Sequence, residues 1–141
     1  MIAADQLTKW LALERLSDGP FNLIGDSVRL ALTRNSGAAF GILEGAGSWL
    51  ALLAAIIAVV VFLSVRHGVG GLTLVALGLI LDGAVGNLID RILRGDGLAD
   101  GLVVDFIDVG PWPNFNIADS AIVVGIILML WESMRTPSEP S

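Results

Sequence analysis

The side chains in this sequence that could do chemistry are mostly carboxylates and carboxamides. Asp105 sits in VVDF, and Asp119 sits in FNIADS at the head of the uncharged run AIVVGIILMLW. A carboxylate beside hydrocarbon is costly and is kept where it does something. Asp5, Lys9, Asn35, Asp82, Asn87, Asp90, Arg91 and Asn116 fall at the ends of other apolar stretches or within them. The chain has no cysteine and one histidine, His67. Thiol nucleophiles are therefore absent, serine–histidine chemistry has little to work with, and zinc lacks its preferred ligands. Acids remain. Two carboxylates in one apolar site cannot both ionise, so one keeps a proton. The ionised partner can deprotonate a water while the neutral one hydrogen-bonds a carbonyl under attack. Such a pair hydrolyses an amide with no metal, cofactor or covalent intermediate.

Each of these residues also has a plainer reading. Asp119 can cap the last helix, since N-I-A-D-S-A is a good helix start. Asp105, between Val-Val and Phe-Ile, can be a polar strand residue facing water. Asp90 and Arg91 can form an ion pair, or Arg91 can anchor at lipid headgroups. Lys9 stands four residues from Asp5, the spacing of a helical pair. Asn35-Ser36-Gly37 reads as a turn, and His67 as a solvated residue beside Arg66.

Positioning these groups falls to a very apolar chain. Of 141 residues, 55% are hydrophobic and 16% charged, with a mean hydropathy of +0.79. That composition fits one membrane-embedded domain over residues 1–141. With a net charge of −6 and scattered basic residues, nucleic-acid binding is not expected. Gly45–Val65 is uncharged between Glu44 and Arg66, long enough as a helix to cross roughly 30 Å of hydrocarbon. Val69–Ile89 follows after His67-Gly68 and is broken only by Asp82, so these two helices should be antiparallel neighbours. Gly78, Gly83 and Gly86 offer places for another helix to approach closely. A third run covers Ile117–Trp131, and residues 136–141 read as a disordered tail. The first segment, IAADQLTKWLALERL, is too short to span alone. Either residues precede it or it lies at the interface. It lacks the form of a cleavable signal peptide. Alternation of Val28, Leu30 and Leu32 with Arg29, Ala31 and Thr33 predicts a short strand with one covered face. The Gly-, Asp- and Pro-rich segment 91–116 must lie outside hydrocarbon.

Taken in order, five blocks resemble the lipoprotein signal peptidases (signal peptidase II). They are D-Q-L-T-K at Asp5–Lys9, N-S-G-A-A-F-G at Asn35–Gly41, G-A-V-G-N-L-I-D-R at Gly83–Arg91, V-V-D-F at Val103–Phe106 and F-N-I-A-D-S-A-I at Phe115–Ile122. Each block alone is weak; the ordered set is specific. The resemblance implies an all-α integral membrane protein: a four-helix transmembrane bundle in the bacterial inner membrane, with a small extracytoplasmic β-sheet. It implies an aspartic endopeptidase that cleaves diacylglyceryl-modified prolipoproteins just before the lipidated cysteine, close to the outer face of the bilayer. Asp105 and Asp119 would be the catalytic pair. Asp5, Lys9, Asn35, Gly37, Asn87, Asp90, Arg91 and Asn116 would line or brace the pocket. Prolipoprotein and membrane lipid would be the partners of a monomeric enzyme that needs no metal and no cofactor. Three departures from the family pattern stand out, the first being the short start of the first helix. Asp82 occupies a position usually held by glycine, adding a buried acid that is expected to be either neutral or paired with Lys9 or Arg91. The segment Arg91–Asp105 is also longer than usual, which makes residues 94–102 a candidate lid.

The rival reading is a small proton- or ion-coupled carrier that uses Asp82, Asp90 and Asp119 as a relay. The dry inner halves of the apolar runs argue against a conduction path.

Overall fold

The computed structural model describes residues 1–36, 47–97 and 100–135. Gly37 and the tail 136–141 lie outside the described residues, as do Leu98 and Ala99 within the longer loop. The elements run α1 (Ile2–Arg15), β1 (Phe21–Ile24), β2 (Val28–Asn35), α2 (Gly47–Arg66), α3 (Gly71–Leu93), β3 (Val103–Val109) and α4 (Ile117–Arg135).

Composition explains the helices. Two among the described residues, α3 and α4, are long and apolar enough to cross a membrane, and Leu52–Arg66 of α2 forms a shorter apolar helical stretch. Their outer faces stay apolar: Trp49, Ile56, Phe62, Val75, Ile127 and Leu130 are all at least half exposed. In water such continuous apolar surface would drive aggregation, whereas in lipid it is the natural exterior. The turn at His67–Gly70 joins α2 to α3, and α3 packs extensively on α4.

Small residues bring the helices together. A side chain added at Gly83 would overlap the backbone oxygen of Ala118, and one at Gly125 would meet the backbone oxygen of Ala76 at 2.7 Å. Backbones this close gain dispersion contacts that larger residues would prevent. Gly86 performs the same service for α1, since a Cβ there would meet Asp5 Oδ2 at 2.8 Å. Gly78 does not, because it faces open space. The contact with α4 uses the faces of Gly83 and Gly86 instead.

Helix α1 has 14 residues and turns Asp5, Lys9 and Ala12 inward. Beyond them, Ala12 and Leu16 join Val104 and Phe106 in a small core, with Leu13, Leu30 and Leu32 packed against it. That core sits under a three-stranded antiparallel sheet in the order β1-β2-β3. The strand expected from Val28, Leu30 and Leu32 is β2, and both leucines lie on its covered face. A register shift between Leu30 and Thr33 offsets the two halves of the β2–β3 pairing, setting Thr33 opposite Asp105.

Candidate active site

The site is built where the N-terminus of α4 meets β3 and the last turns of α3. A helix N-terminus leaves backbone N–H groups unpaired. Here Asn116 Oδ1 accepts from the Asp119 N–H (2.9 Å), and Asp119 Oδ2 accepts in return from the Asn116 N–H (3.1 Å). This reciprocal pair is a capping box with Asp in the acidic position. Another orphan, the N–H of Ala118, donates to Asp5 Oδ1 at 3.0 Å, so α1 helps cap α4. Asp119 is thus a cap, as the plainer reading held. It also lines a cavity: its second oxygen, Oδ1, accepts from Asn87 Nδ2 at 2.8 Å.

Asp105 comes from β3. It does not face water as a lone strand residue would; its exposure is 1%. Both faces of β3 are covered, so strand alternation does not turn Asp105 outward. Asn116 Nδ2 donates to Asp105 Oδ1 at 2.7 Å, and Asn35 Nδ2 donates to Oδ2 at 3.0 Å. Asn116 therefore bonds both acids. Asn87 adds a further link, since its Oδ1 accepts from Asn116 Nδ2 (3.2 Å) and from Lys9 Nζ (3.0 Å). The two carboxylates, Asn35, Asn87 and Arg91 share one cavity of about 670 Å³, otherwise mainly apolar, with Trp112, Pro113 and Phe115 along its wall.

Burial is the main cause that pushes the Asp105 carboxyl up to about 6. The negative charge of Asp119 adds to the rise, while hydrogen bonds from Asn35 and Asn116 and the charge of Lys9 oppose it. The cavity thus contains an acid poised near neutrality beside a second acid, a disposition suited to sharing a proton.

Behind the pair lies a buried ion cluster. Lys9 Nζ contacts Asp5 Oδ2 at 2.9 Å and Asp90 Oδ2 at 3.1 Å, and all three side chains are at most 2% exposed. The helical pair Asp5–Lys9 is present, with Asp90 as a third member. Asp90 Oδ2 also accepts from the Val104 N–H at 3.0 Å, which fixes β3 next to Asp105. Its other oxygen meets Arg94 Nε at 3.2 Å. Arg94, one helical turn on, reaches Asp90 across the i,i+4 spacing. Arg91 does not project from the surface as an anchoring side chain would. It is 7% exposed, lines the cavity, and donates from Nη1 to the Asn87 carbonyl at 3.3 Å.

Asp82 departs from expectation as well. It is only partly buried, and Lys9 is committed to Asp5 and Asp90. Two further side chains position these elements. Gln6 Nε2 reaches Asp5, Asp90 and the Gly86 carbonyl, each at 3.1 Å. Asn114 Nδ2 ties the loop ahead of α4 to Thr33 Oγ1 (2.8 Å) and the Ala31 carbonyl (3.0 Å) of β2. Gln6 lies inside the D-Q-L-T-K block, so that block was its available signal.

A family model for signal peptidase (SPase) II matches residues 1–135. The chain belongs to the signal peptidase II family. It is 46% identical over 137 residues to the lipoprotein signal peptidase of Rhodococcus jostii, covering 92% of this chain and 66% of that protein. Against the Mycobacterium avium enzyme it is 46% identical over 131 residues, covering 92% of this chain and 72% of the relative. The chain therefore spans about two thirds of the length of these curated relatives. A solved bacterial membrane enzyme superimposes with a TM-score of 0.83 at 31% identity, covering 99% of this chain and 88% of the other. In this chain, apolar helices and a small sheet form one assembly around the acid-lined cavity.

Proposed function

We propose that this chain is the peptidase of its family in the full sense: an aspartic endopeptidase that removes the signal peptide from diacylglyceryl-modified prolipoproteins, cutting before the lipidated cysteine. One observation carries the reading. Asp105 and Asp119, from different elements, line one cavity and both accept from one residue, Asn116, through its side-chain Nδ2 and its backbone N–H respectively. In this reading the dyad holds one proton. The ionised carboxylate takes a proton from water as its oxygen attacks the scissile carbonyl, and the protonated carboxyl hydrogen-bonds the developing oxyanion. Collapse of the tetrahedral intermediate breaks the C–N bond, and a dyad proton passes to the departing amine. Asn35, Asn87 and Asn116 orient the carboxylates, while Asp5, Lys9 and Asp90 hold the elements that carry them. Arg91 presents a cation to the cavity wall.

The same proposal takes α1 to α4 as a four-helix bundle in the inner membrane, monomeric, with the sheet and dyad towards the extracytoplasmic side. A signal helix and a lipid-bearing cysteine are both confined to the bilayer, so hydrolysis must occur where a span meets water. The N-terminal end of α4 is such a place. The test is cleavage of a diacylglyceryl-modified precursor in detergent, followed by mass analysis of the new terminus. Asp105→Asn and Asp119→Asn should each lose at least about a hundredfold in rate while remaining folded. Substantial cleavage by either variant would remove the dyad assignment.

A further inference from the structure

A second cavity, about 390 Å³, is lined by Leu13, Arg34, Arg94, Leu102 and Val104. Neighbouring residues of β3 separate it from the acid-lined cavity: Val103 and Asp105 line that one, and Val104 lines this one. The peptidase reading gives neither arginine a task.

Their chemistry is specific. Arg94 follows the last residue of α3 and, among the described residues, gives only Nε to Asp90, so its two terminal amines are not engaged by them. Arg34 is exposed on β2, and its side chain forms no hydrogen bond or ion pair with the other described residues. Two guanidinium groups on one cavity present paired donors that match phosphate oxygens. The remaining lining, Leu13, Leu102 and Val104, is aliphatic. A free anion would gain nothing from it. Position supplies the other constraint: Arg94 caps a helix long and apolar enough to cross a membrane. It therefore stands where hydrocarbon gives way to headgroups, the level at which lipid phosphates lie.

We propose that the cavity between α1, β2 and the C-terminal end of α3 binds an anionic phospholipid, its phosphodiester between Arg34 and Arg94 and the upper part of its acyl chains against Leu13 and Leu102. The site is connected to the acids without touching them. Arg94 shares Asp90 with the Val104 N–H and with Lys9, so a bound phosphodiester would steady the start of β3 from the side opposite Asp105. This rests on the membrane placement of α3 and not on the peptidase reading, and its test needs no substrate.

The test is native mass spectrometry of the purified full chain released from micelles doped with phosphatidylglycerol, with phosphatidylcholine and soluble glycerol 3-phosphate as separate arms. The expected result is one retained phosphatidylglycerol, weak retention of phosphatidylcholine, and no displacement by glycerol 3-phosphate. Arg34→Gln and Arg94→Gln should each weaken retention about tenfold or more. Arg66→Gln, at the far end of α2, should not. Arg94→Gln could disturb Asp90, so Arg34→Gln is decisive: Arg34 holds no other described side chain, and its variant should melt like the parent. Equal retention by Arg34→Gln and the parent would overturn the site, as would equal retention of phosphatidylcholine. Displacement by glycerol 3-phosphate would overturn the lipid assignment.

Discussion

A carboxyl group as buried as Asp105 gives up its proton less readily than one in water, and that reluctance can be measured as stability. In the folded chain its proton is held up to about 6, against an ordinary value of 3.8. Below the lower value both states are protonated, and the group contributes its full stabilisation. As pH rises between the two values the unfolded chain has already released the proton and the folded chain has not. Stability then falls, and the contribution is gone above about 6. Asp105→Asn removes this dependence but also turns one acceptor into a donor facing Asn35 or Asn116, a loss that does not change with pH. The sign of interest is therefore the slope. Relative to the parent, the variant should gain stability as pH rises from about 4 to about 7, by up to about 3 kcal/mol. Melting curves in detergent at several pH values measure it; parallel curves for the two proteins would show that Asp105 titrates normally. Some of this was legible in VVDF, where an acid stands among apolar residues. Its burial was not. Val-Val and Phe-Ile on either side assign no inward face to a strand, so only the packing around β3 decides it.

At the scale of elements, the helices could be read because lipid-facing residues need no periodicity, only continuous hydropathy, which is plain along α3 and α4. β1 was missed: FNLI is short and exposed throughout, and nothing in its pattern separates it from a loop. Which glycines meet a neighbouring helix was half legible, because Gly78 and Gly83 look alike until the position of α4 is known. Links across long sequence separations were hidden too, as with Gln6 to Asp90 (84 residues apart) and Asn114 to Thr33 (81 apart). Lys9 is the strongest case. As part of an Asp5–Lys9 helical pair it would be worth a few tenths of a kcal/mol. In the fold it joins α1 to α3 through Asp90 and Asn87, with its side chain wholly buried. Lys9→Met would leave Asp5 and Asp90 buried without their shared cation, costing about 3–5 kcal/mol. A large fall in melting temperature is expected, and a variant melting with the parent would show that the cluster does not hold α1 in place.

At the scale of the whole molecule, the described residues enclose an acid-lined cavity between apolar helices and a small sheet. Under the peptidase reading, selection of the substrate comes largely from what the membrane presents to that cavity. Asp119 heads the apolar helix α4 while Trp112, Pro113 and Phe115 bound the same cavity from the loop ahead of it. Lower down, the lining is aliphatic, with Leu53 and Ile57 of α2 facing Ile122 and Val123 of α4. Under the peptidase reading, that apolar stretch is where the signal helix and the acyl chains of the modified cysteine would lie, bringing the scissile bond level with the two carboxylates. Binding energy from the lipid would then be spent on placing the bond. An otherwise identical precursor lacking the diacylglyceryl group would still insert its signal helix, but its cysteine would be free to sit at many depths. It should be cut at least about tenfold more slowly by the purified enzyme in mixed micelles. The deficit should persist at saturating precursor, because the lost interaction positions the bond and does not merely recruit the substrate. Equal turnover of both precursors would mean that the signal helix alone sets the register, and the apolar wall of the cavity would then need another explanation.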